Sequence, residues 1–230
     1  MSALLPEHPG FLRRRAAVAM LVLGSLGSLG AVLAPAPAEA AGPRSISPAL
    51  AQISARAVNS AAELDVFDDT RNDGAYILTF NRYVRLRDEA ANLAATELGI
   101  PAAMLRDAWA LSDFDKQIAL LAAMSQLGVP YRSNSSEPGV GFDCSGLTTY
   151  AWGVAGLQLA RQSRAQINAS TRVERVAAEA GDLMYYPGHV MIFLGIGDAM
   201  VHSRQRGSEV EITFLTERHS RNIVFADPTL

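Results

Sequence analysis

The part of this sequence in which chemistry is legible is one cysteine and two histidines. Cys144 is the single cysteine among 230 residues. A lone thiol has no internal disulfide partner and builds no multi-cysteine zinc or iron–sulfur site. It is either a small buried side chain or a nucleophile. Its setting favours the second, because a loop by composition, Arg132 to Gly141, passes here into Leu147, Tyr150, Ala151 and Val154 at helical spacing. A helix N-terminus presents unpaired N–H groups and the positive end of the helix dipole, which favour negative charge on sulfur. A histidine within reach would take the thiol proton and return it to a leaving amine.

Two histidines stand where they can do this. His189 opens the run His189 to Leu194, and His202 closes the run Ala199 to His202, with Gly195 and Gly197 between them. Antiparallel pairing about a turn centred near residues 195 and 196 sets the two histidines opposite each other, on one face and about 5 Å apart. A cysteine, a histidine and a second polar residue that orients the histidine is the logic of a Cys–His triad. A zinc site on the same two histidines lacks its third and fourth ligands. His219, in the run Glu217-Arg-His-Ser220, reads as part of a solvated face.

The surrounding elements must hold these groups in place. Pro48 to Leu64 is alanine-rich and helical by composition, and Tyr76 to Leu98 carries Phe80, Tyr83, Leu86, Ala90 and Leu93 at spacings of three and four. Asp65 to Gly74 gathers four aspartates, but Arg71 and Phe80 occupy positions where a calcium loop needs ligands, so the segment reads as a solvated loop. Gly99 ends the second helix and Pro101 opens a third. Ser112 with Asp115 forms a capping pair for a fourth, stopped by Gly128 and Pro130. Gly181 to Tyr186, His189 to Leu194 and Ala199 to His202 are short β-rich runs between glycine turns, which read as an antiparallel sheet. The fold class is therefore α+β, with a nucleophile helix on an antiparallel sheet preceded by an all-helical region.

The ordered set Gly141-Phe-Asp-Cys-Ser-Gly-Leu147, Gly181-Asp-Leu-Met-Tyr185, His189-Val-Met-Ile-Phe-Leu-Gly195 and Met200-Val-His202 resembles the motifs of the NlpC-type bacterial cell-wall cysteine peptidases. The resemblance spans about residues 119–226. It implies a papain-like catalytic domain, with Cys144 as nucleophile, His189 as base and acid, and His202 orienting His189. It implies cleavage of peptidoglycan stem peptides, commonly between D-glutamate and diaminopimelate, with no cofactor. Tyr131, Asp143, Ser145 and Ser163 match positions that in some members line the substrate subsite; Asp143 is equally suited to cap the helix that follows. Departures from the family's pattern, Arg132 to Ser136 after Pro130-Tyr131 and Met191 after His189-Val190, bear on substrate fit rather than on the triad. The rival readings are amidase or acyltransferase action on another substrate and an inactive wall-binding module.

Composition and ends complete the picture. A hydrophobic share of 49%, a charged share of 19% and a net charge of −3 exclude a disordered chain and give no reason to expect nucleic acid or an anionic membrane as partner. Arg13, Arg14 and Arg15, an apolar stretch from Ala16 to Ala34 and the A-x-A pattern at Ala38 and Ala40 read as a secretory signal cut after Ala40. The expected organisation is a signal at 1–40, a linker and helical region at 41–118 and a catalytic domain at 119–230. The expected location is outside the cell or at the wall, without a stable membrane anchor once the signal is removed. Wall affinity beyond the catalytic domain would come from the helical region, which is also placed to cover the cleft, or from a wall-associated protein partner.

Overall fold

The structure is a computed structural model that describes residues 48–69, 73–216 and 220–230. The expected signal, the start of the linker and His219 lie outside the described residues. Four helices come first: α1 (Pro48–Asp69), α2 (Asp73–Leu98), α3 (Ala102–Leu111) and α4 (Phe114–Met124). A minimal hairpin, β1 (Ser136–Glu137) and β2 (Gly141–Phe142), leads into α5 (Cys144–Val154), followed by α6 (Ser163–Ala169). The remaining elements are β3 (Thr171–Val173), β4 (Leu183–Tyr186), β5 (His189–Phe193), β6 (Ala199–Ser203), β7 (Val210–Phe214) and β8 (Val224–Asp227). They form one six-stranded antiparallel sheet in the order β3-β8-β4-β5-β6-β7. No helix among the described residues is long and apolar enough to cross a membrane.

The α+β class agrees with the sequence reading, and several local expectations differ. Asp65 to Asp69 complete α1 and Asp73 begins α2, so the expected aspartate loop is largely helical. An aspartate in the first turn of α2 suits the positive end of that helix. Ser112 does not cap α4: its hydroxyl donates back to the carbonyl of Trp109 at 3.1 Å, closing α3 instead. In α2 the buried stripe is Tyr83, Leu86, Ala90, Ala91, Ala94 and Ala95, while Phe80 is exposed. Small residues here, facing Ala57 and Ala61 of α1, let the two helices approach closely.

The apolar core runs without interruption from α1 to the sheet. Leu50, Tyr83, Leu105 and Trp109 belong to the same cluster as Leu120, Leu147, Trp152, Ile192 and Val201. The described residues accordingly form one compact unit, and α4 runs across positions 118 and 119. Two contacts seat the helical region on the sheet. Trp109 donates its indole N–H to the carbonyl of Leu194 at 2.9 Å. Gly195, at φ +88°, sits where a Cβ would come within 2.9 Å of Ala108, so only glycine permits this approach. Both contacts lie at the end of β5 remote from His189, roughly 17 Å along the strand.

A buried ion cluster locks the same end. Lys116 of α4, 3% exposed, places Nζ 2.6 Å from Asp227, 3.0 Å from Asp182 and 3.0 Å from Glu179. Burial raises the carboxyl of Asp182 to about 6 despite hydrogen bonds from the Glu179 amide and Lys116, which pull the other way. Asp227 is also disfavoured by burial, but Lys116 and Thr229 together hold it below its usual range. A buried pair is costly to break, because removing one partner leaves an unpaired charge in low dielectric. Lys116→Ala is therefore expected to lower unfolding stability by about 3–5 kcal/mol, measured by urea titration with circular dichroism.

Candidate active site

The geometry begins with the N-terminus of α5. Asp143 is the N-cap residue, in extended conformation, and its Oδ1 accepts from the Gly146 N–H at 2.7 Å. Cys144 is the first helical residue, so its sulfur lies at the positive end of the helix axis. The buried face of α5 is Leu147, Thr148, Ala151 and Trp152; Val154, expected on that face, is exposed at the helix end. This burial drives α5 onto the sheet and leaves Cys144 half-buried at its tip. Gly146 is needed for a steric reason. A Cβ there would lie 2.0 Å from the carbonyl oxygen of Ser135, which crosses the first turn of the helix.

Asp143 does more than cap. Its two oxygens also accept from Arg161 Nη1 at 2.9 Å and Nη2 at 2.7 Å, from the Asn134 N–H at 2.8 Å and from the Ser145 hydroxyl at 3.3 Å. Burial disfavours the carboxylate, but Arg161 and the two backbone donors outweigh it and hold Asp143 below its usual range. Ser145 takes a further hydrogen bond from Arg161 at 3.0 Å, and its carbonyl accepts from Thr148, Thr149 and Gln166. Tyr131 is half-buried and close enough to Arg161 to influence its charge. Its backbone bridges Phe142, just ahead of Cys144. Ser163 opens α6 two residues beyond Arg161. The structure thus gathers Tyr131, Asp143 and Ser145 around Arg161, a residue that sequence reasoning did not single out. The sequence offers only a weak signal for it, an arginine two residues before Ser163.

The histidines lie on the neighbouring strands. His189 and His202 are 5% and 4% exposed, and His189 Nε2 stands 3.0 Å from His202 Nδ1. Their ring centroids are 5.1 Å apart. The register differs from the expected one. Ile192 pairs with Val201 and Phe193 with Met200, so the turn centres one residue later and His202 is the diagonal neighbour of His189 rather than its direct opposite. A shift of the turn centre by a whole residue moves partners by two positions, which preserves the face, and rings of this size span the diagonal. Tyr186, directly opposite His189, has its ring centroid 5.3 Å away. Burial raises the Tyr186 phenol, Arg204 lowers it and the charge of Cys144 raises it again, so Tyr186 neighbours both the thiol and His189. Glu211, directly opposite His202 on β7, places Oε1 3.3 Å from His202 Nε2. No group of three or more His, Cys, Asp and Glu among the described residues is arranged to hold a metal ion.

A cysteine at the tip of a helix, packed on an antiparallel sheet whose adjacent strands carry a buried histidine pair, is the arrangement of a papain-like domain. Residues 128–227 match the model of the NlpC/P60 family. Among curated relatives, murein DD-endopeptidase MepH of Escherichia coli is 32% identical over 111 residues, covering 44% of this chain and 41% of its own. Peptidoglycan endopeptidase RipB of Mycobacterium tuberculosis is 40% identical over 101 residues, covering 37% of this chain and 42% of its own. The bifunctional muramidase/DL-endopeptidase CwlT of Bacillus subtilis is 36% identical over 93 residues, covering 37% and 28%. The chain thus spans less than half the length of these relatives. Among solved structures, the P60 domain of an M. avium subspecies paratuberculosis antigen is 26% identical with a TM-score of 0.43, covering 50% of this chain and 94% of that one.

The cap can be tested by stability. Asp143→Ala is expected to cost about 0.5–2 kcal/mol. Because the folded carboxyl is held below its ordinary value, its contribution is present above about pH 4 and is lost as pH falls through the lowered folded value. Urea titrations of the wild type and the variant at pH 7 and pH 3 should therefore differ by less at the lower pH.

Proposed function

We propose that the chain is an exported peptidoglycan hydrolase that cleaves wall stem peptides by Cys144 nucleophilic attack. The observation that carries this reading is the buried His189–His202 pair, 3.0 Å apart, on strands packed beside the helix that Cys144 opens. In the reaction, His189 takes the Cys144 proton as sulfur attacks the scissile carbonyl carbon. The imidazolium then gives that proton to the departing amine, leaving an acyl-thioester. Water, deprotonated by His189, hydrolyses the thioester and regenerates the thiol. His202 holds the His189 ring in position through its Nδ1, which meets His189 Nε2. The Cys144 backbone N–H, first in its helix, is placed to stabilise the oxyanion.

The relatives support action on peptidoglycan, and their names divide between DD- and DL-endopeptidase. We assign the bond between D-glutamate and diaminopimelate, as the motif resemblance implies. Tyr131, Ser145 and Ser163 line the amine-end subsite, with Asp143 contributing through Arg161 and its cap rather than through an unoccupied oxygen. The export signal at 1–40 delivers the enzyme to the wall, where a wall-associated protein partner localises it. A structural neighbour from M. tuberculosis, RipD, is described as a non-catalytic NlpC/p60 protein adapted to peptidoglycan binding; it is 26% identical, covering 50% of this chain and 96% of that one, with a TM-score of 0.40. For this chain we favour catalysis, since a binding module has no use for a thiol beside a buried histidine pair.

Digestion of purified muropeptides with mass analysis of the products tests the reading. The expected result is loss of the D-glutamyl–diaminopimelyl bond with the wild type, and no cleavage with Cys144→Ala while binding to wall sacculi persists. Intact peptides with the wild type, or undiminished cleavage by the variant, would overturn it.

A further inference from the structure

The chain of contacts does not stop at His202. Its Nε2 lies 3.3 Å from Glu211 Oε1, and the two residues are register partners on β6 and β7. We propose that Glu211 is a positioning residue that sets the tautomers of both histidines and so makes His189 Nδ1 the proton-accepting nitrogen. This role follows from donor and acceptor counts and rests on the roles given above to Cys144 and His189.

An ionised carboxylate has no proton to donate, so the His202 nitrogen facing it carries the proton. A neutral imidazole has only one N–H, so His202 Nδ1 is then a bare acceptor. The nitrogen that faces it across 3.0 Å, His189 Nε2, carries the donor proton. In neutral His189 this leaves Nδ1 unprotonated, ready to take a proton from a thiol. When that proton arrives, the imidazolium still donates through Nε2 to His202, and no other proton has to move. Without Glu211, His202 is equally well served by the opposite tautomer, with Nδ1–H directed at His189. That tautomer places the wrong nitrogen of His189 in play.

The surroundings keep the terminal group ionised. The hydrogen bond with His202 lowers the Glu211 carboxyl, burial raises it somewhat, and the charges of His202 and Arg204 lower it further. The side chain is 35% exposed, against 4% for His202, so the carboxylate also keeps contact with water. Outer partners that fix a histidine tautomer are worth factors of ten to a hundred in other sites, and an inner one still more.

Imidazole nitrogen NMR of the full chain at pH 8, combined with steady-state kinetics on muropeptides, tests this. In the wild type, His202 should carry its proton on Nε2 and His189 should carry its proton on Nε2. Glu211→Ala should give a mixture of His202 tautomers and lower kcat roughly ten- to a hundred-fold, with KM changed less than about three-fold. Glu211→Gln, whose amide oxygen still accepts, should keep the His202 tautomer and most of kcat. A wild-type His202 protonated on Nδ1, or an alanine variant with unchanged tautomers and unchanged kcat, would overturn the proposal. A wild type that cuts no muropeptide but whose tautomers respond to Glu211→Ala defeats the hydrolase reading and supports this one.

Discussion

The carboxylate of Asp143 is the constraint on which the site depends. It collects five hydrogen bonds, two from Arg161, two from backbone N–H groups and one from Ser145. Three of these donors come from outside the helix, two from Arg161 and one from the Asn134 amide in the loop before β1, so one group ties two other segments of chain to the tip of α5. Cys144 is the next residue, and its position follows from that anchorage. The loop can pass so near only because Gly146 has no side chain to meet Ser135. A cysteine on a frayed helix end would sample many directions, whereas here the first turn is capped from the side and clamped from above.

The triad candidates were legible because their types are rare and their spacing is short. One cysteine sits at a loop-to-helix change, and two histidines flank a glycine turn. The sequence placed the turn one residue too early, since Gly195 and Gly197 both suit tight turns and nothing local decides between the two centres. The face survived the error because partners shift in steps of two. Glu211 was invisible for a different reason: β7 was not recognised, and an acidic residue in an alternating strand is ordinarily a solvent-facing one. Arg161 and Lys116 were missed likewise, since their partners lie 18 residues away in one case and 66 and 111 away in the other. Helix ends were also misjudged where a side chain had two uses, as with Ser112, which bonds backward to Trp109 instead of forward.

The contacts of β5 differ between its two ends. At the Phe193 end of β5, the Trp109 indole, the close Gly195 contact and the Lys116 ion pairs join the helical region to the sheet. At the His189 end, the two histidines are buried and chained to each other and to Glu211, whose side chain is 35% exposed. The difference has a physical logic. A charge that must stay fixed is best neutralised by several partners in a dry site, as Lys116 is by three carboxylates. A proton that must move needs neighbours whose own protons have one allowed arrangement, together with an exit to solvent that keeps the terminal carboxylate charged. Because both arrangements share the continuous core from α1 to β8, the helical region belongs to the same cooperative unit as the site. It meets the sheet at the end of β5 remote from His189, through Trp109, Gly195 and Lys116.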